Sequence, residues 1–243
     1  MSNTTAVVTG GSKGIGLEIV SQFAEQGIHV IVCSRNCSQD LYDLIEQNAP
    51  EQIRWVEMDL LNEASVKKSA KDVVKSCEQI DVLVNCAGVA QGSAFLMTRL
   101  EEFKSVFDAN YFNTLLFTQI IAKKMIRKKK GSIINIASTA GLLSDPGTLV
   151  YGGSKAALIH STKVLATELG AFGIRVNAIA PAIVNTEMGK KNDEKAMELS
   201  DKRSALAGII EPEEVAATVC FLASDNSSSK ITGQVIRIDR GIH

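Results

Sequence analysis

Seven short apolar runs, separated by longer amphipathic stretches, leave this 243-residue chain few ways to fold. They are AVVT (6–9), HVIVCS (29–34), IRWVEM (53–58), IDVLVN (80–85), GSIINIAS (131–138), IRVNAIA (174–180) and QVIRID (234–239). Each has four to eight residues and is rich in Val and Ile. Runs of that kind, apolar on both faces, read as strands buried on both sides of a parallel sheet. The intervening stretches 14–26, 38–48, 62–77, 100–128, 150–171 and 211–224 read as helices. The last opens at Pro212 with Glu213 and Glu214 beside it, residues suited to a first helical turn. Alternation of this sort demands right-handed crossovers. The expected fold is therefore α/β, a Rossmann-type doubly wound seven-stranded parallel sheet with helices on both faces.

No linker, repeat or low-complexity tract divides the chain, so a single domain over 1–243 is expected. One segment breaks the alternation. In EMGKKNDEKAMELSDKR (187–203), ten of seventeen residues are charged. A solvated surface helix and a lid over an active site, spanning 187–207, both fit that composition.

Hydrophobic residues make up 45% of the chain and charged residues 22%, enough for a full globular core. The formal net charge of −1 provides no basic field for nucleic acid or an anionic membrane, and neither partner is expected. No stretch nears the ~18 uninterrupted apolar residues of a membrane span. The start, MSNTTAVVTGG, lacks the basic residues and apolar run of a signal peptide, so a cytoplasmic location is expected. Five cysteines (33, 37, 77, 86, 220) include no C-x-x-C pair and read as reduced, buried thiols. His29, His160 and His243 have no metal-ligand spacing, and no metal is expected.

Directly after the first run, TGGSKGIG (9–16) places four glycines in eight residues. Between a strand and a helix, glycine allows a tight turn and a backbone approach to a ligand closer than a Cβ permits. The helix opening at Gly14 then directs free N–H groups at a phosphate. Two other readings fail. Gly10-Gly11-Ser12-Lys13-Gly14 also fits G-x-S-x-G, but a nucleophile elbow needs several strands before it, and only nine residues precede Gly10. A P-loop needs Lys and then Ser or Thr after its last glycine, whereas Leu17 and Glu18 follow Gly16.

The spacing T-G-x-x-x-G-x-G resembles that of the short-chain dehydrogenase/reductase family, and further motifs follow in order. Asn85-Cys86-Ala87-Gly88 resembles the family's N-A-G turn, with Cys86 where Asn is more usual. Asn110 matches its helical Asn, Ser138 its strand-end Ser, and Tyr151-Gly152-Gly153-Ser154-Lys155 its Y-x-x-x-K. Pro181-Ala182-Ile183-Val184-Asn185-Thr186 is similar to its P-G-x-x-x-T, with Ala182 replacing Gly. The resemblance runs from Thr9 to Gly241.

On a helix, Tyr151 and Lys155 share a face about 5–6 Å apart. A free phenol titrates at about 10, and a neighbouring ammonium favours its ionised form. The resemblance implies the roles. Tyr151 exchanges a proton with the substrate oxygen, and Lys155 lowers its pKa while holding the nicotinamide ribose. Ser138 hydrogen-bonds the substrate oxygen, and Asn110 anchors a water that links Lys155 to solvent. Tyr42 and Tyr111 have no such neighbours and read as packing residues.

The resemblance also implies the cofactor contacts: Gly10, Ser12, Lys13, Gly14, Ile15 and Gly16 in the glycine turn, then Ser34 and Arg35, Asp59 and Leu60. Asn85, Ala87 and Gly88 follow, then Tyr151 and Lys155, then Pro181, Ile183 and Thr186. Enzymes that select NAD tend to place an acid at the end of the second strand. Here the stretch reads Cys33-Ser34-Arg35-Asn36, with no acid before Asp40. Arg35 and Lys13 offer positive charge for a 2′-phosphate, so NADP(H) is the expected cofactor. Asp59 resembles the family's adenine-binding Asp.

Within the family, the whole-chain layout, with FLASD (221–225) and ITG (231–233), is similar to that of the 3-oxoacyl-[acyl-carrier-protein] reductases. Two departures stand out. The basic pair those reductases present to the carrier survives once, as Arg127-Lys128-Lys129-Lys130, while Phe172 occupies the other place. The tail reads Asp239-Arg240-Gly241 instead of D-G-G. The expected activity is reduction of a ketone by NADPH, with a 3-oxoacyl thioester the leading substrate. A sugar, polyketide or other small carbonyl compound remains an alternative, and so does a non-catalytic NADP-binding regulator. Relatives in the family form tetramers, and helix 150–171 carries more apolar and small residues (Ala156, Ala157, Leu158, Ile159, Leu165, Ala166, Leu169) than one buried stripe needs. A homotetramer is expected.

Overall fold

The computed structural model describes residues 4–191 and 194–242. Seven strands form one sheet: β1 (Thr5–Thr9), β2 (His29–Ser34), β3 (Ile53–Glu57), β4 (Val82–Asn85), β5 (Gly131–Ile136), β6 (Ile174–Pro181) and β7 (Val235–Ile238). Their order is β3-β2-β1-β4-β5-β6-β7, and every pairing is parallel. Helices α1 (Gly14–Glu25), α2 (Gln39–Gln47) and α8 (Pro212–Ala223) cover one face, packing Ile19, Phe23, Leu41 and Val219 against Val8, Val32 and Val84. Helices α3 (Glu63–Ser76), α5 (Thr114–Lys128) and α6 (Leu149–Gly170) cover the other, packing Val73, Phe117, Ile121 and Ala166 against Val7, Leu83 and Val176. The remaining helices are α4 (Leu100–Phe107), α7 (Glu194–Arg203) and the short α9 (Asp225–Ser228).

The polar side chains that the five inner strands bury, such as Asn135, Arg175 and Asn177, are hydrogen-bonded, and these strands are largely inaccessible to solvent. The two edge strands are not. β3 and β7 are part-exposed, which explains why Arg54, Glu57 and Arg237 fall within runs otherwise apolar. Residues 187–203, left between two readings by their composition, form a 3₁₀ turn at Gly189–Lys191 followed by helix α7. Among the described residues no helix is long and apolar enough to cross a membrane.

The expected helix 100–128 is three pieces. A π-helical turn, Asp108–Asn113, separates α4 from α5. The Thr114 hydroxyl donates to the Ala109 carbonyl at 3.0 Å, five residues back, and so satisfies an acceptor that the widened ladder leaves over. The turn rotates two asparagines inward. Asn113 donates to the Leu60 carbonyl at 2.8 Å, and Asn110 points toward the end of β4.

A polar chain crosses the sheet beneath this turn. Asn85 Nδ2 donates at 2.8 Å to both Thr118 on α5 and Asn135 on β5, and Asn135 donates at 2.8 Å to Thr162 on α6. Each of the four is 3% exposed or less. Among their side-chain atoms only Asn85 Oδ1 is left without a partner, and in so dry a setting the bonds that are made fix the positions of the groups they join. They hold α5 and α6 in register with the two strands between them.

Candidate active site

Because the strands are parallel, their carboxyl ends open on one side, and the strand order reverses between β1 and β4. Ligands of doubly wound sheets bind in the crevice at such a reversal. Gly10 has φ +72, and a Cβ there would lie 2.7 Å from Ala87 Cα, so the turns after β1 and β4 pack backbone to backbone. A Cβ on Gly16 would lie 2.2 Å from the Gly10 carbonyl oxygen, so α1 can start against its own turn only with glycine in that place. Lys13, the N-cap of α1, makes no side-chain cap hydrogen bond. The first N–H groups of α1 are therefore left for an anion, and this cradle fits a dinucleotide pyrophosphate.

The other expected cofactor residues surround it. Gly14 faces Thr186, whose Cγ2 would lie 3.1 Å from an added Cβ, so the segment from Pro181 through Ile183 to Thr186 closes over the start of α1. Thr186 Oγ1 accepts from the Gly189 amide at 3.1 Å. Ile15 packs against the core, and the Ser12 carbonyl accepts from Ser38 Oγ at 2.5 Å. Lys13 is not free to act alone: its Nζ pairs with Glu187 at 2.7 Å, partly neutralising the charge expected beside a phosphate. Arg35 is exposed, whereas Ser34 is buried, donating to the Asn36 carbonyl at 2.9 Å and accepting from Trp55 Nε1 at 3.0 Å. Asp59 accepts from the Leu61 amide at 3.0 Å, and Leu60 is buried. The Ala87 amide donates to Thr9 Oγ1 at 3.1 Å, and Gly88 lies against Asn110 and Lys155.

The four expected catalytic residues meet at this crevice. β5 stops at Ile136, two residues before Ser138, which leaves the ladder and caps a 3₁₀ turn at Thr139–Gly141. Ser138 Oγ accepts from the Ala140 amide at 3.1 Å and is hydrogen-bonded to Tyr151. Tyr151 and Lys155 occupy the first turns of α6, with Lys155 Nζ 5.8 Å from the tyrosine ring centroid. Asn110 Oδ1 accepts from the Val89 amide at 2.8 Å, while its Nδ2 donates to the Val89 carbonyl at 2.8 Å and to Ser154 Oγ at 3.1 Å.

The electrostatics differ from the sequence expectation in one respect. Burial raises the Tyr151 pKa above its ordinary value, outweighing the Ser138 hydrogen bond that lowers it. The Lys155 ammonium donates to the Ile136 carbonyl at 2.8 Å rather than to the phenol, and burial pushes its own pKa down to about 8. Cys86, behind the pair, is pushed up to about 11 by burial and stays a thiol.

Sequence reasoning missed Ser154. Wholly buried, it donates to the Tyr151 carbonyl at 2.7 Å while accepting from Asn110, and so ties the π-helical turn to the first turn of α6. Its place three residues after Tyr151, on the same helical face, was a readable signal. Of the other tyrosines, Tyr111 hydrogen-bonds Ser161 at 3.0 Å, whereas Tyr42 is 53% exposed and is a surface residue, not a packing one. Its helix α2 buries only Leu41.

Comparison with known proteins agrees with this geometry over nearly the whole chain. The family model described as enoyl-(acyl carrier protein) reductase matches residues 10–243. The 3-oxoacyl-[acyl-carrier-protein] reductase of Thermotoga maritima is 35% identical over 245 residues, covering 100% of this chain and 98% of the relative. The NAD-dependent glycerol dehydrogenase of Listeria innocua is 34% identical over 242 residues, covering 99% of this chain and 94% of the relative. A solved structure of a short chain dehydrogenase/reductase family protein superposes with a TM-score of 0.83 at 33% identity, covering 99% of this chain and 97% of the other. With its glycine turn at the strand-order reversal and its Ser, Tyr and Lys converging there, the chain belongs to the short-chain dehydrogenase/reductase family, oxidoreductases that act on CH–OH and C=O groups with a nicotinamide cofactor.

Proposed function

We propose that the protein is an NADPH-dependent carbonyl reductase, and that its leading substrate is a 3-oxoacyl thioester presented on an acyl carrier protein. The observation that carries the reaction type is the convergence of Ser138, Tyr151, Lys155 and Asn110 beside the glycine cradle. When bound, the nicotinamide supplies the hydride. Tyr151, held protonated by burial, supplies the proton to the substrate oxygen, and Ser138 donates a second hydrogen bond to that oxygen. Lys155, with Nζ 5.8 Å from the Tyr151 ring centroid, would hold the nicotinamide ribose beside the phenol, and Asn110 would anchor a water that links Lys155 to solvent.

The exposed Arg35, together with the lack of an acid between Ser34 and Gln39, supports NADPH. The exposed run Arg127–Lys130 at the end of α5 supports an acidic carrier as the vehicle, whereas Phe172, 40% exposed, brings no positive charge to the second place. One observation favours a second reading, a small free carbonyl substrate: Lys130 is paired with Asp225 at 3.0 Å, which weakens the basic run. Association as a homotetramer is part of the proposal, supported by the apolar side chains that α6 leaves at its surface, Leu149 at 49% and Val164 at 41% exposure. Light scattering at micromolar concentration tests it, and a monomer refutes it.

The deciding experiment is NADPH oxidation with 3-oxoacyl thioesters, keto sugars and diketones, each run with wild type and with Arg35→Ala. Charge-assisted hydrogen bonds contribute about 1.5–3 kcal/mol, so Arg35→Ala should lose roughly ten- to a hundredfold in efficiency with NADPH and little with NADH. Equal losses with both cofactors would refute the NADPH reading.

A further inference from the structure

The loop that carries Arg35 has little backbone of its own to hold it. β2 ends at Ser34 and α2 begins at Gln39. Three side chains hold the loop in place. On the sheet side, the Trp55 indole N–H donates to Ser34 Oγ at 3.0 Å, and that hydroxyl passes its proton to the Asn36 carbonyl at 2.9 Å. On the glycine-turn side, Ser38 Oγ donates to the Ser12 carbonyl at 2.5 Å while capping α2 by accepting from the Leu41 amide at 3.2 Å. Arg35 lies between the two attachments, exposed, with its neighbours on both sides fixed.

We propose that Trp55 is a specificity-determining positioning residue: through Ser34 it braces the Arg35 loop at the height where a ligand's 2′-phosphate is read. The proposal rests on the NADPH reading above. Ser34 commits its proton to Asn36 and one lone pair to the indole, so it contributes to phosphate recognition by shaping the loop and not by donating to the ligand. Trp55 sits on edge strand β3, partly buried against the core cluster that includes Leu41 of α2, which makes it a fixed post beside an exposed cation. A guanidinium gains from a phosphate only when it is already in place, because ordering it on binding consumes part of the interaction.

The test is calorimetric titration with adenosine 2′,5′-bisphosphate and adenosine 5′-monophosphate, two fragments that differ only in the 2′-phosphate. Wild type, Arg35→Ala, Trp55→Phe, Ser34→Ala and the Trp55→Phe/Ser34→Ala pair are compared. Trp55→Phe keeps the ring and removes only the N–H. It should weaken the bisphosphate by roughly three- to tenfold and leave the monophosphate unchanged. Ser34→Ala should do the same, and the double variant should be no worse than either single one, because both break one brace. Trp55 is the only tryptophan, so its emission should also shift in Ser34→Ala, where its hydrogen-bond partner is gone. Bisphosphate binding at wild-type strength in Trp55→Phe overturns the brace, as does an equal loss for both fragments. If Arg35→Ala loses the preference for the bisphosphate in that case, the NADPH reading survives. If wild type itself shows no preference for the bisphosphate, the reading fails and the brace with it.

Discussion

The centre of the crevice and its outer rim are both held by polar contacts, yet of opposite kinds. At the centre, Asn110, Ser154 and Lys155 are each 4% exposed or less, and their partners are backbone carbonyls, an amide and each other. At the rim, Lys13 and Glu187 pair at 2.7 Å with side chains 67% and 75% exposed. Arg203 reaches Asp145 at 2.7 Å with side chains 31% and 38% exposed. In the dry centre every donor matters, since a lost partner leaves a desolvated group behind. On the wet rim, solvent and salt replace whatever is removed. Chemistry that needs fixed geometry belongs at the centre, and segments that must admit and release ligands belong at the rim.

The largest expected effect lies at the centre. Tyr151→Phe should lower kcat by at least about 10²-fold while NADPH binding, followed by calorimetry, stays near wild type. Near-normal turnover would remove the phenol from the chemistry and collapse the contrast.

A second test reads the cost of burying Lys155. Its folded pKa is about 8, below the ordinary lysine value of 10.5. Between those pH values the unfolded chain binds the proton and the folded chain does not, so stability rises with pH across that window. The destabilisation is full below about pH 8 and gone above 10.5. Lys155→Met should therefore be stabilised relative to wild type at pH 7, and the difference in denaturation midpoint should shrink steadily toward pH 10.5. A pH-independent difference would mean that the lysine is not held as an unfavourable buried cation.

At the rim the effects should be small. Glu187→Gln should change unfolding free energy by less than about 1 kcal/mol, less still in high salt. A larger, salt-insensitive change would give the rim the character of the centre. The smallest effect is expected for Cys86→Asn, which should leave turnover within a few-fold of wild type. Complete loss would show that the thiol does more than pack behind the catalytic pair.

The sequence by itself determined the sheet and the list of candidate residues. Short apolar runs and the amphipathic stretches between them are local, and the hydrophobic effect acts on them the same way in any α/β chain, so seven strands and their helices could be placed within a few residues. The Thr9–Gly16 turn was legible because glycine at a backbone contact of 2.7 Å has no substitute. Ser138, Tyr151 and Lys155 were legible through the resemblance of a strand-end Ser and a Y-x-x-x-K spacing to the family's motifs, which a helix face and a strand end then make chemically sensible.

Only the tertiary structure decided the contacts. The Lys13–Glu187 pair spans 174 positions, Asn110–Ser154 spans 44, and Trp55–Ser34 joins two strands 21 apart. No periodicity encodes such separations. The helix expected over 100–128 breaks because its inward asparagines find buried partners in β4's loop, on α6 and beside β3, and those partners exist only once the sheet has formed. Lys155 shows the same dependence. Four residues from Tyr151, it reads as the phenol's counter-charge, but the folded chain offers the Ile136 carbonyl at 2.8 Å. A buried ammonium takes the fixed acceptor that the sheet supplies, because in a desolvated site an unmade hydrogen bond costs more than a charge held at a distance gains.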